Sequence, residues 1–135
     1  MALNVKDSSG SVEIKDVASL DITDSSGELE IEDIAGDVIV VDSSGSIHIE
    51  NIAGNVNVTD SSGNIGVRFV EQNFTVEVDS SGSIEASHIK GNMLVKVDSS
   101  GAIIANNIDG DFTVGKDSSG GIKHNKVNGR INLPN

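Results

Sequence analysis

The chain has 135 residues and a formal net charge of −12, so it is expected to repel nucleic acid and anionic lipid surfaces. It contains no Cys, Trp or Tyr and only three Phe, which excludes disulfides, thiolate metal sites and cysteine nucleophiles and disfavours aromatic platforms for bases or sugars. Because no run of about 18 apolar residues is present, we expect a single domain, residues 1–135, that does not insert into a membrane.

One motif, Asp-Ser-Ser-Gly, organises the whole sequence and occurs seven times without a substitution. The copies begin at Asp7, Asp24, Asp42, Asp60, Asp79, Asp98 and Asp117, at spacings that rise from 17 to 19 residues. Self-similarity at a fixed short period is typical of stacked repeats. Two strands of about five residues bury too little to be stable alone, so independent hairpins are excluded.

Each repeat reads in chain order as strand, bend, strand and turn. In the third repeat, Ile47 and Ile49 alternate with polar residues, Ile52 and Gly54 mark the bend, and a second alternating run begins at Val56. Alternation with period two predicts strands with one buried face. We therefore predict an all-β fold, a single-stranded β-helix (β-solenoid) of about seven coils with 17–19 residues per coil.

The growth of the repeat predicts a coil that widens toward the C-terminus. Every copy has nine residues from the motif glycine to the bend, so the extra residues are expected wholly in the second strand. The alternation there places Val78 and Val97 inward. Phe74, Met93 and Phe112 share one column, where we expect them to fill the core.

The motif itself is interpreted as a structural turn. Asp accepts backbone hydrogen bonds, Gly supplies positive φ, and stacked Ser hydroxyls can hydrogen-bond from coil to coil. The alternative is a cation site, because stacked carboxylates repel unless a hard cation such as Ca²⁺ bridges them. Its ligands would be Asp7, Asp24, Asp42, Asp60, Asp79, Asp98 and Asp117. Our main interpretation assigns no metal and no cofactor.

No residue set predicts catalysis. Of the three histidines, His48 is expected on the outward face, His88 in the bend and His124 in an inward column, so they cannot form one repeated site. The acidic pairs Glu30/Glu32 and Asp109/Asp111 are expected by chance in so acidic a chain. A polysaccharide-active enzyme on a β-helix is the least favoured alternative.

The outward positions vary from coil to coil on an invariant frame, which is typical of a scaffold. Phe69, in the bend between Arg68 and Val70, is the one aromatic residue expected on the surface and is a candidate contact point.

The repeated unit Val-x-Val-x-Asp-Ser-Ser-Gly-Ser-Ile-x-Ile-x-x-Ile-x-Gly, and the closing segment from Asp117 to Pro134, resemble bacterial β-strand-repeat proteins labelled as adhesins or as domains of unknown function. The resemblance covers essentially the whole chain. It implies a right-handed β-helix, an extracellular or cell-envelope location, and a cell-surface or polymer partner. Members commonly carry an export signal, so the start at Met1-Ala2, half a coil before the first motif, indicates a truncated or engineered chain.

Charge is divided unevenly along the chain, which bears on self-association. Residues 1–67 carry two basic and thirteen acidic residues, or −11, whereas residues 68–135 carry seven basic and eight acidic residues, or −1. Open strand edges at the ends of a solenoid can pair with another copy. We expect a non-enzymatic, adhesin-like scaffold that forms homo-oligomers end to end or by edge pairing.

Overall fold

The structure, a computed structural model, describes residues 2–7, 10–117 and 120–133, which form two parallel β-sheets. Sheet A has eight strands: β1 (Ala2–Asp7), β3 (Ser19–Asp24), β5 (Val38–Asp42), β7 (Val56–Asp60), β9 (Phe74–Asp79), β11 (Met93–Asp98), β13 (Phe112–Asp117) and β15 (Ile131–Asn132). Sheet B has seven strands: β2 (Val12–Val17), β4 (Leu29–Ile34), β6 (Ile47–Ile52), β8 (Ile65–Val70), β10 (Ile84–Ile89), β12 (Ile103–Ile108) and β14 (Ile122–Val127). Each strand pairs with the strand two further along the chain, so the chain winds through both sheets as a β-solenoid of about seven turns. The predicted fold class is confirmed. Across the described ranges, no helix is long and apolar enough to cross a membrane.

The aliphatic columns predicted from the repeat form the core between the sheets. In the third repeat Ile47, Ile49 and Ile52 on β6, and Val56 and Val58 on β7, are all at most 2% exposed. Pairing is in register along both sheets, so equivalent residues of successive coils lie on one another. β-Branched side chains dominate these columns because they pack well on a pleated surface.

The column of larger side chains also lies in the core, as predicted. Met93 pairs with Phe74 on one side and with Phe112 on the other, and all three are fully buried. These side chains therefore act in packing.

The first increase in repeat length, from 17 to 18 residues, lies in the bend. The register pairs Val17 with Ile34 and Leu20 with Val38. Two residues lie between Val17 and Leu20, whereas three lie between Ile34 and Val38. The extra residue therefore falls between the strands. The prediction that growth lies wholly in the second strand is wrong here, because the bend itself accepts an added residue.

The second increase, to 19 residues, is a β-bulge in β9. The register pairs Val58 with Val76 and Thr59 with Val78, which leaves Glu77 unmatched. The predicted inward positions in this stretch are therefore wrong: Val78 is 40% exposed, and Val97 is only partly buried. A bulge shifts the alternation by one residue, so the longer coil gains outer surface and no inward side chain.

A ladder of Asn and Asp side chains, which the repeat pattern alone does not predict, joins successive bends. Each side-chain Oδ1 accepts the backbone N–H of the equivalent residue in the next coil at distances between 2.7 and 3.0 Å. The acceptors are Asp37, Asn55, Asn73, Asn92 and Asp111. The ladder satisfies backbone donors where the chain leaves one sheet for the other.

We expect Asn73→Ala to lower the free energy of unfolding by about 1 kcal/mol, because the Asn92 N–H loses the acceptor it meets at 2.8 Å. Urea denaturation measures this change. Asn73→Asp keeps an acceptor and is expected to lose less, and Asn125→Ala on the exposed face of β14 serves as the control. Equal losses for Asn73→Ala and Asn125→Ala would show that the ladder does not stabilise the fold.

Candidate functional site

The Asp-Ser-Ser-Gly motif forms the turn that returns the chain from sheet A to sheet B. In the third copy the Asp42 Oδ1 accepts the Ser44 N–H at 3.3 Å, and the Ser44 hydroxyl donates to the Ser25 carbonyl of the preceding coil at 3.2 Å. This confirms the predicted structural turn and the coil-to-coil hydrogen bonds of its serines. The serines of the first and last copies, at 8–9 and 118–119, lie outside the described residues.

The motif aspartates form a buried column at this corner. Those at most 2% exposed are Asp24, Asp42, Asp60, Asp79 and Asp98. Burial first, and the neighbouring carboxylates second, raise the pKa of Asp60 to about 7 and the pKa of Asp79 to about 8. The same causes raise the pKa of both Asp42 and Asp98 to about 6. Because several of these carboxyl oxygens have no hydrogen-bond partner, complete ionisation of the column is costly.

The cation hypothesis requires several ligands to converge on one ion. Ca²⁺ takes six to eight oxygen ligands. No group of three His, Cys, Asp or Glu side chains suited to a metal ion occurs among the residues that the structure describes. The side chain of Asp7 lies outside those residues, and Asp117 is only partly buried. Protonation of carboxyl groups with a raised pKa is one way to relieve the repulsion along the column.

The three histidines lie in different columns, as predicted. His48 faces outward, with Nε2 3.6 Å from a Glu50 carboxylate oxygen. His124 continues the inward column of Ala105, and its ring centroid lies 6.3 Å from that of Phe112. It is nevertheless exposed, because β14 is the last strand of sheet B.

At least one member of each acidic pair contacts a neighbouring coil. Glu32 lies 3.9 Å from the Lys15 ammonium, and Asp111 accepts a backbone N–H of the next coil at 2.8 Å. Asp109 accepts the Asn128 side-chain N–H at 3.4 Å, whereas Glu30 is exposed. These contacts explain the pairs as links between coils.

One residue in every sheet B strand has a left-handed backbone, with φ between 56° and 61°. These residues, which we call the left-handed column, are Asp16, Asp33, Asn51, Phe69, His88, Asn107 and Lys126. Asp, Asn and His tolerate this conformation, whereas it costs a bulky residue such as Phe on the order of 1–3 kcal/mol. Strain of this kind concentrates at functional sites, so Phe69 marks a place to search for one.

Phe69 and His88 form a tilted aromatic pair on adjacent coils. Their ring centroids are 4.7 Å apart with an interplanar angle of 33°, and the Arg68 guanidinium carbon lies 5.3 Å from the Phe69 centroid. Phe69 remains 38% exposed. An open groove of about 560 Å³ lies beside the pair, and its lining includes Phe69, His88, Lys90, Asn107, Asp109 and Lys126.

Charge around this groove differs from that of the whole chain. The Lys90 ammonium lies 2.9 Å from a Glu71 carboxylate oxygen, and this hydrogen bond raises the pKa of Lys90. Within the described part of the chain, neither Arg68 nor Lys126 forms an ion pair. The groove therefore combines an aromatic surface, an amide and a balanced set of charges, with Lys90 and Lys126 against Glu71 and Asp109.

The sequence predicts Phe69 as a contact point, and the structure adds His88 beside it. The absence of Trp and Tyr is therefore a poor guide to aromatic surface in this chain, because His88 contributes a ring. The signal was present, since Phe69 and His88 both stand six residues after a motif glycine and therefore share a column.

Comparison with known proteins gives one match. A family model described as Toastrack DUF4097 matches residues 1–132. No curated protein and no solved structure matches the chain.

Proposed function

We propose that this chain, which belongs to the Toastrack DUF4097 family, is a non-enzymatic, adhesin-like scaffold of the cell envelope whose copies join end to end. The family description names no activity. In support, the inward positions are used for packing, the motif serves as a turn, and the residues that vary from coil to coil face outward. A rigid stack of this kind suits display of contact residues and association through its end strands.

The proposal of association rests on complementary charges in the same columns at the two edges of sheet B. The in-register ladder places Glu13 of β2 and Lys123 of β14 in the same outward column. Asp16 and Lys126 are likewise both members of the left-handed column. If β14 of one copy pairs with β2 of another in the same register, each lysine meets an acidic residue. The partner that fits this edge is therefore a second copy of the chain.

The sheet order determines what happens to the end strands of sheet A. When β2 of the second copy pairs with β14, its β1 reaches the place beside β13 that β15 occupies. β1 forms six register pairs with β3, whereas β15 forms two with β13. Ile131 and Leu133 are also 39% and 41% exposed. We therefore expect β1 of the second copy to displace β15.

Sedimentation velocity on charge variants tests this joint. We expect the wild type to form complexes larger than the monomer, and Lys123→Glu/Lys126→Glu to stay monomeric at the same concentration, because both new carboxylates face acidic residues of the partner. Lys90→Glu/Lys96→Glu changes net charge equally but lies away from the end strands, and should still associate. Equal association of both variants would exclude the proposed register.

A further inference from the structure

We propose that Asn128 is a site of spontaneous deamidation, and that its conversion to isoaspartate releases strand β15 from the edge of sheet A. Asn128-Gly129 is the one Asn-Gly pair in the sequence, and it lies in the bend between β14 and β15. Both residues are exposed, and no strand of sheet B follows β14 in the described part of the chain. The modification does not depend on the end-to-end joint.

The reaction needs only water and the two residues themselves. Once hydroxide removes its proton, the Gly129 backbone nitrogen attacks Cγ of Asn128, a C–N bond forms, and the side-chain nitrogen takes a proton from water and leaves as ammonia. Water then opens the cyclic imide at either carbonyl, which gives aspartate or isoaspartate without oxidation or reduction. Asn is a thermolabile residue, and glycine, which has no Cβ, leaves the attacking nitrogen unhindered.

The fold requires glycine at position 129 but holds this segment weakly. A Cβ there would clash with the Gly110 carbonyl oxygen, so close stacking of the bends excludes a side chain. The Gly129 N–H donates to the same oxygen at 2.9 Å and must leave it before the attack. Strand β15 has two register pairs with β13, and Ile131 is 39% exposed. Because so little holds the chain after the bend, we expect it to open far more often than the core.

The preceding coils indicate what an ordinary aspartate would do at this position. The residues equivalent to Asn128 are Ala35, Ala53, Glu71, Lys90 and Asp109. Asp109-Gly110 already occupies the bend one coil earlier, so aspartate at position 128 fits the backbone. It replaces the Asn128 Nδ2 donor, which lies 3.4 Å from Asp109 Oδ1, by a carboxylate that repels Asp109. This product is therefore expected to loosen the bend without breaking it.

Isoaspartate has a larger effect, because it adds one methylene to the backbone before Gly129. The hydrogen bonds that fix the backbone after this point run from the Gly129 N–H to the Gly110 carbonyl at 2.9 Å, from the Arg130 N–H to Asp111 Oδ1 at 2.8 Å, and from the Phe112 N–H to the Arg130 carbonyl at 2.8 Å. A longer backbone cannot keep them all in register. Since β15 follows directly, we expect it to detach from β13.

Peptide mapping by mass spectrometry, after incubation of the folded protein at pH 8.5, tests the assignment. We expect conversion at Asn128 to be at least about tenfold faster than at Asn73, whose Oδ1 is held by the next coil and which the buried Phe74 follows. Equal rates at Asn128 and Asn73 would overturn the proposal. So would the absence of conversion at Asn128 under conditions in which the free peptide of residues 127–131 converts.

Hydrogen exchange on the separated products tests the release of β15. The isoaspartate form should lose protection of the Phe112 amide by about tenfold or more, whereas Asn128→Asp, which has a normal backbone, should keep most of it. Asn128→Ala is the control, because equivalent bends carry Ala35 and Ala53 and alanine cannot form the imide. Its Phe112 protection should survive the same incubation. Unchanged Phe112 protection in the isoaspartate form would contradict the release of β15.

Discussion

Gly63→Ala is expected to lower the free energy of unfolding by about 3 kcal/mol or more, with a fall in melting temperature of about 10 °C or more. A Cβ at this position would lie 1.8 Å from the Gly45 carbonyl oxygen of the preceding coil. Gly63 also has a φ of 110°, which side chains rarely adopt. The clash is with backbone in the middle of the stack, so relief requires two coils to move apart. Thermal and urea unfolding measure the loss.

Substitutions at two other glycines distinguish the effect of the steric clash from the effect of replacing a glycine. At Gly10, φ is 93° but a Cβ would meet no atom within 4 Å, so Gly10→Ala reports the backbone strain alone. At Gly66, in β8, the nearest atom would lie at an ordinary 3.6 Å, so Gly66→Ala should be close to neutral. If Gly10→Ala were as destabilising as Gly63→Ala, close stacking of the motif glycines would not explain their presence in every repeat.

The melting temperature is expected to fall as the pH rises from about 4 to about 8. Burial raises the pKa of Asp60 to about 7 and of Asp79 to about 8, well above the values for an unfolded chain. A group with a raised carboxyl pKa binds more protons in the folded state, so its stability contribution is fully present below the unfolded pKa and is lost as pH rises through the folded pKa. For Asp60 alone the loss is on the order of 2–4 kcal/mol.

Asp60→Asn removes one titrating group and keeps an acceptor for the Ser62 N–H, which Asp60 Oδ1 meets at 3.2 Å. Its removal also relieves Asp79, whose pKa the Asp60 charge helps to raise. We expect this variant to melt higher than the wild type at pH 8.5 and to differ little at pH 5.

The matched control is Glu30→Gln, which removes one negative charge from the exposed face of β4. Calorimetric scans of both variants from pH 4 to pH 9 distinguish local relief in the column from a general effect of net charge. A wild-type melting temperature that stays constant over this range, or an equal gain for Glu30→Gln, would contradict the view that the buried column limits stability.

The repeat carries enough information to predict the solenoid, its number of coils and the residues of its core. Period-two alternation between invariant turns leaves few alternatives, because a slip of one residue would expose the whole Ile and Val set. The errors fall where this alternation breaks. The bulge at Glu77 and the added residue in the second bend change the register locally, and no pattern within a single repeat distinguishes an inward from an outward insertion.

The candidate site was less predictable for a related reason. Its residues are separated by about one coil in sequence, and their shared left-handed backbone follows from the corner geometry of the stack. Phe69 and His88 are poor sequence signals for such a bend, since Asn and Asp are the residues expected there. The Asn73 ladder was hidden in the same way, because its hydrogen bonds run between coils.

Light scattering across a dilution series in EDTA measures whether copies of this chain join end to end, as we propose. EDTA removes any bridging cation, so association that persists belongs to the protein itself. We expect a mass that rises with concentration above 14.0 kDa and falls again in high salt, because opposite charges meet at the joint. A mass that stays at 14.0 kDa at every concentration would contradict it.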